Sequence, residues 1–128
     1  MPYRVIQIGT GGWGAAWCRS FLPPNVAEGL IEVVAAVDTD RAALANAREG
    51  LGLPADRCYT DLEAALGENP ADFCTIVVPP AFHEQVVIAA LTHDLDILSE
   101  KPIADTLEAS LRIAAMVRAR PGRRWRSP

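Results

Sequence analysis

The sequence lacks the features of membrane, disulfide-rich and zinc-binding proteins. No apolar run approaches the roughly 20 residues of a membrane span, and the first four residues lead into a strand-like segment rather than a signal peptide. The three cysteines form no C-x-x-C pair and have no nearby histidine pair, so we expect them to be reduced and mostly buried: Cys18, Cys58 and Cys74. We therefore expect a cytoplasmic protein with no membrane partner and no metal.

Positive charge is scarce except at the end of the chain. The net charge is −4, and because residues 118–128 hold five arginines and no acid, residues 1–117 carry −9. Such an acidic body would repel nucleic acid, which we exclude as a partner. Pro121 and Gly122 break the last helix, and the arginines beyond have no apolar face to bury. We predict a domain over residues 1–120 and a basic, disordered tail over residues 121–128.

The remaining pattern is that of one α/β domain. With 128 residues, half of them apolar, the chain can bury a core. Strand-like and helix-like segments alternate, which predicts a doubly wound parallel sheet with strand order 3-2-1-4-5. Predicted strands cover residues 4–8, 32–38, 58–60, 73–78 and 96–99, and predicted helices cover 13–22, 41–50, 62–66, 82–92 and 106–118. Pro23 and Pro24 are expected to end the first helix, and Gly50 and Gly52 to mark the end of the second.

A glycine-rich loop follows the first predicted strand and opens the first helix. Gly9, Gly11 and Gly14 fit the spacing G-x-G-x-x-G, which allows a tight turn, close approach to pyrophosphate and tight helix packing. The pattern alone also describes a simple turn, but its position favours dinucleotide binding at the helix N-terminus. We expect Trp13 and Trp17 to pack together on one helix face. The cofactor-binding residues predicted here are Gly9, Thr10, Gly11, Gly12, Trp13 and Gly14.

A carboxylate ends the second predicted strand. Asp38 lies 24 residues after Gly14, and there its carboxylate can accept hydrogen bonds from the ribose hydroxyls of an adenine dinucleotide. An exposed turn residue is the alternative interpretation. Asp38 and the neighbouring Thr39 are predicted to bind the cofactor, and the negative charge favours NAD over NADP.

Two segments in the second half narrow the class. Residues 75–83 read TIVVPPAFH, and residues 96–104 read DILSEKPIA. Together with the glycine loop, they resemble the cofactor domain of the glucose-fructose oxidoreductase and inositol dehydrogenase family, Gfo/Idh/MocA, over residues 3 to about 118. A coenzyme A site is a further alternative, against which the Glu-Lys-Pro triplet argues.

The resemblance implies roles for the residues that follow the fourth strand. Val78, Pro79 and Pro80 would wall the cofactor ribose, and His83 would open the next helix near the same site. A histidine at the start of a helix is also a common polar cap, so a structural role for His83 stays open.

The resemblance also implies roles for the Glu-Lys-Pro triplet. Glu100 would lie on the nicotinamide ribose side, and Lys101 would be the catalytic cation that hydrogen-bonds a substrate hydroxyl and stabilises developing negative charge. Both also count as cofactor-binding residues, and Pro102 would fix the Lys101 backbone. The alternative for Lys101 is a solvated turn lysine.

One part of the family's pattern has no counterpart in this sequence. The second α/β domain, which supplies the substrate pocket in relatives, is absent, so a small-molecule substrate is expected only if such a domain is supplied. We expect a truncated oxidoreductase domain for a polyol, sugar or similar secondary alcohol, inactive alone and prone to self-association near the fifth strand. The alternative is a stand-alone dinucleotide-binding or regulatory module without catalysis.

Overall fold

A parallel β-sheet organises the chain, whose computed structural model describes residues 1–101, 104–120 and 122 and the backbone of residues 125–126. The strand order is β3-β2-β1-β4-β5-β6, and every neighbouring pair is parallel. The doubly wound sheet predicted with order 3-2-1-4-5 is confirmed, and one further strand is added. The strands are β1 (Tyr3–Ile8), β2 (Ile31–Val37), β3 (Cys58–Tyr59), β4 (Phe73–Ile76), β5 (Asp96–Ser99) and β6 (Trp125–Arg126).

The sixth strand lies within the segment predicted to be disordered. Its two residues pair in register with Ile97 and Leu98 of β5. An edge strand presents unpaired N–H and C=O groups, and these pair with any backbone alongside, whatever its side chains. Residues 125–126 therefore depart from the expectation, while residues 121, 123, 124, 127 and 128 lie outside the described residues. Self-association near this edge stays a prediction.

In the part of the chain that the structure describes, seven helical segments and three 3-10 turns connect the strands, and the longer helices cover both faces of the sheet. Both faces of its central strands are consequently buried, and Val5 and Ile6, which point to opposite sides, are each 0% exposed. The segments are α1 (Trp13–Ala16), a π-helical segment (Trp17–Phe21), α2 (Leu22–Ala27), α3 (Ala45–Leu51), α4 (Leu62–Glu68), α5 (His83–Thr92) and α6 (Leu107–Arg118), with 3-10 turns at Arg41–Leu44, Ala55–Arg57 and Pro80–Phe82.

The first helical region does not stop at the proline pair, so that prediction is wrong. Pro23 and Pro24 lie in the first turn of α2, directly after the π-helical segment. Proline is tolerated in a first turn, where its missing N–H removes no intrahelical bond. The helical path therefore continues to Ala27.

Of the two glycines predicted to mark the end of the second helix, Gly52 does so, while Gly50 has a packing role instead. It lies inside α3, which ends at Gly52 in the left-handed conformation (φ 69°). A Cβ atom on Gly50 would lie 2.5 Å from the carbonyl oxygen of Cys18 in the π-helical segment. This close contact sets α3 against the helical region that begins at the glycine loop.

No helix in the described part of the chain is long and apolar enough to cross a membrane.

Candidate dinucleotide site

The predicted site residues gather at the carboxyl edge of the sheet. At four positions just beyond a strand, the backbone N–H donates to a neighbouring strand. The backbone at the start of the site is therefore held in place by the sheet. The bonds run from Gly9 to Val37 O (2.8 Å), Asp38 to Tyr59 O (3.0 Å), Val77 to Ile8 O (2.8 Å) and Glu100 to Ile76 O (3.0 Å). β1 lies between β2 and β4, and this is where the strand order reverses. Open α/β sheets bind ligands at such a point.

A cleft of about 960 Å³ opens at this edge. It extends from β3 and α4 on one side to the end of β5 on the other. Sequence reasoning missed the wall that Thr60, Leu62 and Glu63 form after β3, and the wall that Phe82, Gln85 and Val86 form near α5. The predicted residues that line the cleft are Gly9, Gly11, Gly12, Trp13, Asp38, Thr39, Val78, Pro79, Glu100 and Lys101. The other predicted residues, Thr10, Gly14, Pro80 and His83, are not among its lining residues.

Two loop glycines are required by backbone packing. A Cβ atom on Gly9 would lie 2.1 Å from the carbonyl oxygen of Val77, and one on Gly14 would lie 2.4 Å from that of Gly9. Both contacts are with backbone, which cannot move aside as a flexible side chain can. Gly12 has a different role, since it adopts a φ of 54° and a Cβ there would meet open space. The loop therefore packs tightly against neighbouring backbone at Gly9 and Gly14, and at Gly12 its backbone faces the open cleft.

Two backbone N–H groups of the glycine loop have no hydrogen-bond acceptor among the described residues. They are those of Gly12 and Trp13, and such unpaired donors are usual for the first amides of a helix. Free amides at a helix N-terminus favour an anionic phosphate. The residues present thus fit a pyrophosphate group.

Asp38 is bound to the glycine loop. Its Oδ2 accepts from the backbone N–H of Thr10 (2.9 Å) and of Gly11 (3.2 Å), and the Thr10 hydroxyl oxygen lies 3.3 Å from it. Its Oδ1 accepts from the N–H of Asp40 at 2.8 Å and lies on a half-buried side chain. Oδ2 is fully used by the loop, so Oδ1 is the atom with acceptor capacity left for a ligand.

Thr10 connects the loop to the segment after β2. Its hydroxyl donates to Ala43 O at 2.8 Å, and its carbonyl accepts from Asn46 Nδ2 at 2.8 Å. Thr10 itself is 0% exposed, which accounts for its absence from the cleft wall. Asn46 was missed because a polar residue on an alanine-rich helix has no sequence signal for such a contact.

A buried polar pair lies under the loop. Gln7 is 0% exposed and its Nε2 donates to the carbonyl of Gly9 at 2.8 Å, while its Oε1 accepts from the hydroxyl of Thr75. Buried polar groups need partners of this kind. Gln7 is the polar residue within the apolar part of β1, and this pattern indicates a buried hydrogen-bonding role that the sequence analysis did not predict.

His83 is buried behind the segment that follows β4 and forms a hydrogen bond with its backbone. The side chain is 1% exposed, and Nε2 donates to the carbonyl oxygen of Val78 at 2.8 Å. Val78 and Pro79 line the cleft, while His83 lies behind them. This geometry favours the structural alternative for His83, and its contact with a cofactor stays a prediction.

Glu100 is held by both tryptophans of the first helical region. Its Oε2 accepts from Trp13 Nε1 at 2.7 Å and from Trp17 Nε1 at 2.9 Å. Each indole also packs edge-on against Phe21, with ring centroids 5.5 and 5.9 Å away. The predicted pairing of the two tryptophans is thus mediated by Glu100 and Phe21. Lys101 follows as an exposed residue of the cleft wall, and Pro102 lies outside the described residues.

The cysteines contribute no reactive group to the cleft. All three are free, and burial raises the pKa of Cys18 and of Cys74 to about 12. Thiols with such a pKa stay protonated and weakly nucleophilic. Within the ranges that the structure describes, no cluster of three or more His, Cys, Asp or Glu side chains could hold a metal ion.

Comparison with known proteins relates the chain to a set of oxidoreductases. The model of the Gfo/Idh/MocA oxidoreductase family, NAD-binding Rossmann fold, matches residues 3–125. The uncharacterized protein y4oX of Sinorhizobium fredii is 57% identical over 118 residues, which are 92% of this chain and 33% of that protein. Inositol 2-dehydrogenase of Corynebacterium glutamicum is 32% identical over 113 residues, which are 88% of this chain and 33% of that enzyme.

A solved structure extends the comparison. The myo-inositol dehydrogenase of Lactobacillus casei in complex with NAD(H) and myo-inositol superposes with a TM-score of 0.82 and 30% identity, covering 99% of this chain and 36% of that one. The chain thus spans about a third of the length of the curated relatives it matches.

Proposed function

The chain belongs to the Gfo/Idh/MocA oxidoreductase family as an NAD-binding Rossmann domain, and we propose that it serves hydride transfer between NAD and a polyol, sugar or similar secondary alcohol. The substrate class is supported by the inositol dehydrogenases among its relatives. The chain corresponds to the cofactor-binding third of those enzymes.

The observation that carries the proposal is the composition of the cleft from end to end. Free amides of Gly12 and Trp13 lie at its centre, Asp38 lies on the β2 side, and Glu100 and Lys101 lie on the β5 side. A dinucleotide has the matching layout, with a pyrophosphate between two nucleosides. Pyrophosphate would bind the amides, and the adenosine ribose would donate to Asp38 Oδ1.

Lys101 is the proposed catalytic residue. Its exposed ammonium would hydrogen-bond the substrate hydroxyl and stabilise the negative charge that develops on that oxygen as hydride leaves the carbon for the nicotinamide. The hydroxyl proton would pass to a general base outside the described residues. The bound nicotinamide supplies the hydride-accepting chemistry itself.

Asp38 supports a preference for NAD over NADP. A 2′-phosphate on the adenosine ribose would bring like charge to within a few ångströms of the carboxylate. At about 4 Å, two unit charges repel by about 1 kcal/mol in water and about 4 kcal/mol at an effective dielectric near 20. Those energies correspond to about fivefold and about a thousandfold in affinity. Because Asp38 is only half-buried, we expect an effect near the lower end, about tenfold.

We further propose that this chain by itself binds the dinucleotide without turning substrate over. Hydride transfer needs a substrate held in a near-attack geometry and a wall that excludes water. The exposure of Lys101 supports this view, because nothing in the described residues covers its side of the cleft.

Two measurements on one preparation test the proposal. Isothermal titration calorimetry is expected to give saturable, one-site NADH binding. Absorbance of NADH is expected to stay flat when NAD and myo-inositol are added to the same protein. Absence of NADH binding would reject the function as a cofactor domain, whereas steady NADH formation would reject only the claim of inactivity.

A further inference from the structure

Glu100 is an unusual carboxylate because its hydrogen-bond partners are two neutral indoles. Both N–H groups reach the same oxygen, Oε2, from residues more than 80 positions earlier in the sequence. No ion pair to Glu100 occurs within the described part of the chain. Indole N–H groups can only donate, so they fix the carboxylate as an acceptor and leave Oε1 available to a ligand.

The topology places this oxygen at one end of the cleft. Asp38 follows β2 and Glu100 follows β5, three strand spacings apart in the order β2-β1-β4-β5. At about 4.8 Å per spacing, the two carboxylates flank a gap of about 14 Å, with the free loop amides between them. A ligand with its phosphates on the loop and one ribose at Asp38 extends its other ribose toward Glu100.

We propose that Trp13 and Trp17 are positioning residues that aim Glu100 Oε1 at the hydroxyls of the second ribose of the dinucleotide, the ribose that bears the nicotinamide. The proposal rests on the proposed function, since it requires a dinucleotide in the cleft. The two indoles differ in exposure, with Trp13 59% exposed in the cleft and Trp17 7% exposed beneath it. Trp17 fixes the carboxylate from below, and Trp13 links it to the loop that binds phosphate.

The test compares two probes with the same adenosine and phosphates, one of which carries the second ribose as an ester that removes the terminal charge of the β-phosphate. ADP carries the adenosine and the phosphates, while ADP-ribose adds the second ribose. Trp13→Phe and Trp17→Phe keep a ring against Phe21 and remove one N–H donor each. We expect either variant to weaken ADP-ribose binding about three- to tenfold more than ADP binding in calorimetry, and the buried Trp17→Phe to leave ADP binding unchanged. Trp125→Phe is the matched control and is expected to change neither.

A spectroscopic readout reports the geometry directly. In the Trp125→Phe background, the two remaining indole N–H resonances in a ¹H–¹⁵N spectrum are expected to shift in Glu100→Gln and on addition of ADP-ribose. Addition of ADP is expected to leave the resonance of the buried Trp17 in place. Trp13 is exposed, so its variant keeps the test available should Trp17→Phe fail to fold.

The outcomes separate the two claims. Equal loss of ADP and ADP-ribose affinity in a folded variant, or no loss of either, would overturn the positioning role while the cofactor function stands. Failure of the unmodified chain to bind ADP, ADP-ribose and NADH would reject the proposed function and this inference with it.

Discussion

The two ends of the cleft are built in different ways. On the β1–β2 side, the loop is held by backbone packing at Gly9 and Gly14 and by the hydrogen bonds of Asp38. On the β5 side, Glu100 is held by two side-chain donors, and Lys101 is exposed. Backbone contacts tolerate no substitution, whereas side-chain contacts can be exchanged one at a time. The β1–β2 side, with the phosphate-binding loop, is therefore fixed mainly by the fold, whereas the β5 side depends on side chains that can be exchanged.

The largest effect on the β1–β2 side is expected from Gly9→Ala, which disrupts the packing of the glycine loop. The added methyl would meet the Val77 carbonyl at 2.1 Å, on a residue with φ of 96°. Overpacking and positive-φ strain together predict a loss of about 2 to 5 kcal/mol in the free energy of unfolding. Urea denaturation measures it.

The matched control is Gly67→Ala on α4. A Cβ there has no atom within 4 Å, so alanine is expected to stabilise the helix by about 0.5 to 1 kcal/mol. An equal effect of the two substitutions would show that the loop is not packed as described.

A smaller effect is expected from the buried pair beneath the loop. Gln7→Leu removes the partner of Thr75 and of the Gly9 carbonyl, which predicts a loss of about 1 to 3 kcal/mol. Adding Thr75→Val removes the second polar group and is expected to recover part of that loss. Strictly additive single and double variants in a denaturation cycle would contradict a direct Gln7–Thr75 bond.

The smallest effect is expected at an exposed residue pair outside the cleft wall, where Arg112 Nη2 donates to Glu84 Oε1 at 2.9 Å between α6 and α5. That hydrogen bond lowers the pKa of the Glu84 carboxyl. A lowered pKa means that the pair contributes stability above the unfolded pKa and loses it as the pH falls through the folded pKa.

The melting temperature of the unmodified chain should thus exceed that of Glu84→Gln slightly at about pH 7, and the difference should shrink as the pH falls. Affinity for NADH should be the same in both proteins. If the difference in melting temperature between the two proteins grew as the pH fell, the stabilising role of this pair would be contradicted.

The sequence predicted the sheet order and most of the cleft wall because both follow from local pattern. Alternating apolar segments set the order, and the residues just after each strand, such as Asp38 and Glu100, must meet at one edge. The supporting contacts were harder to predict, since Asn46 and Gln7 act through tertiary geometry. The continued helix through Pro23 and Pro24 depended on a π-helical segment, which has no simple sequence signal. Likewise, β6 forms through backbone pairing with β5, which the side-chain pattern of the sequence does not indicate.

The central claim, a dinucleotide lying across the cleft with its adenosine ribose at Asp38, is tested most directly by titrating NADH and NADPH into the unmodified chain and into Asp38→Asn. Asparagine keeps one oxygen for the Thr10 and Gly11 amides and removes the charge. The account predicts about tenfold tighter NADH binding in the unmodified chain and a much smaller difference in the variant. Equal or tighter NADPH binding by the unmodified chain would contradict it.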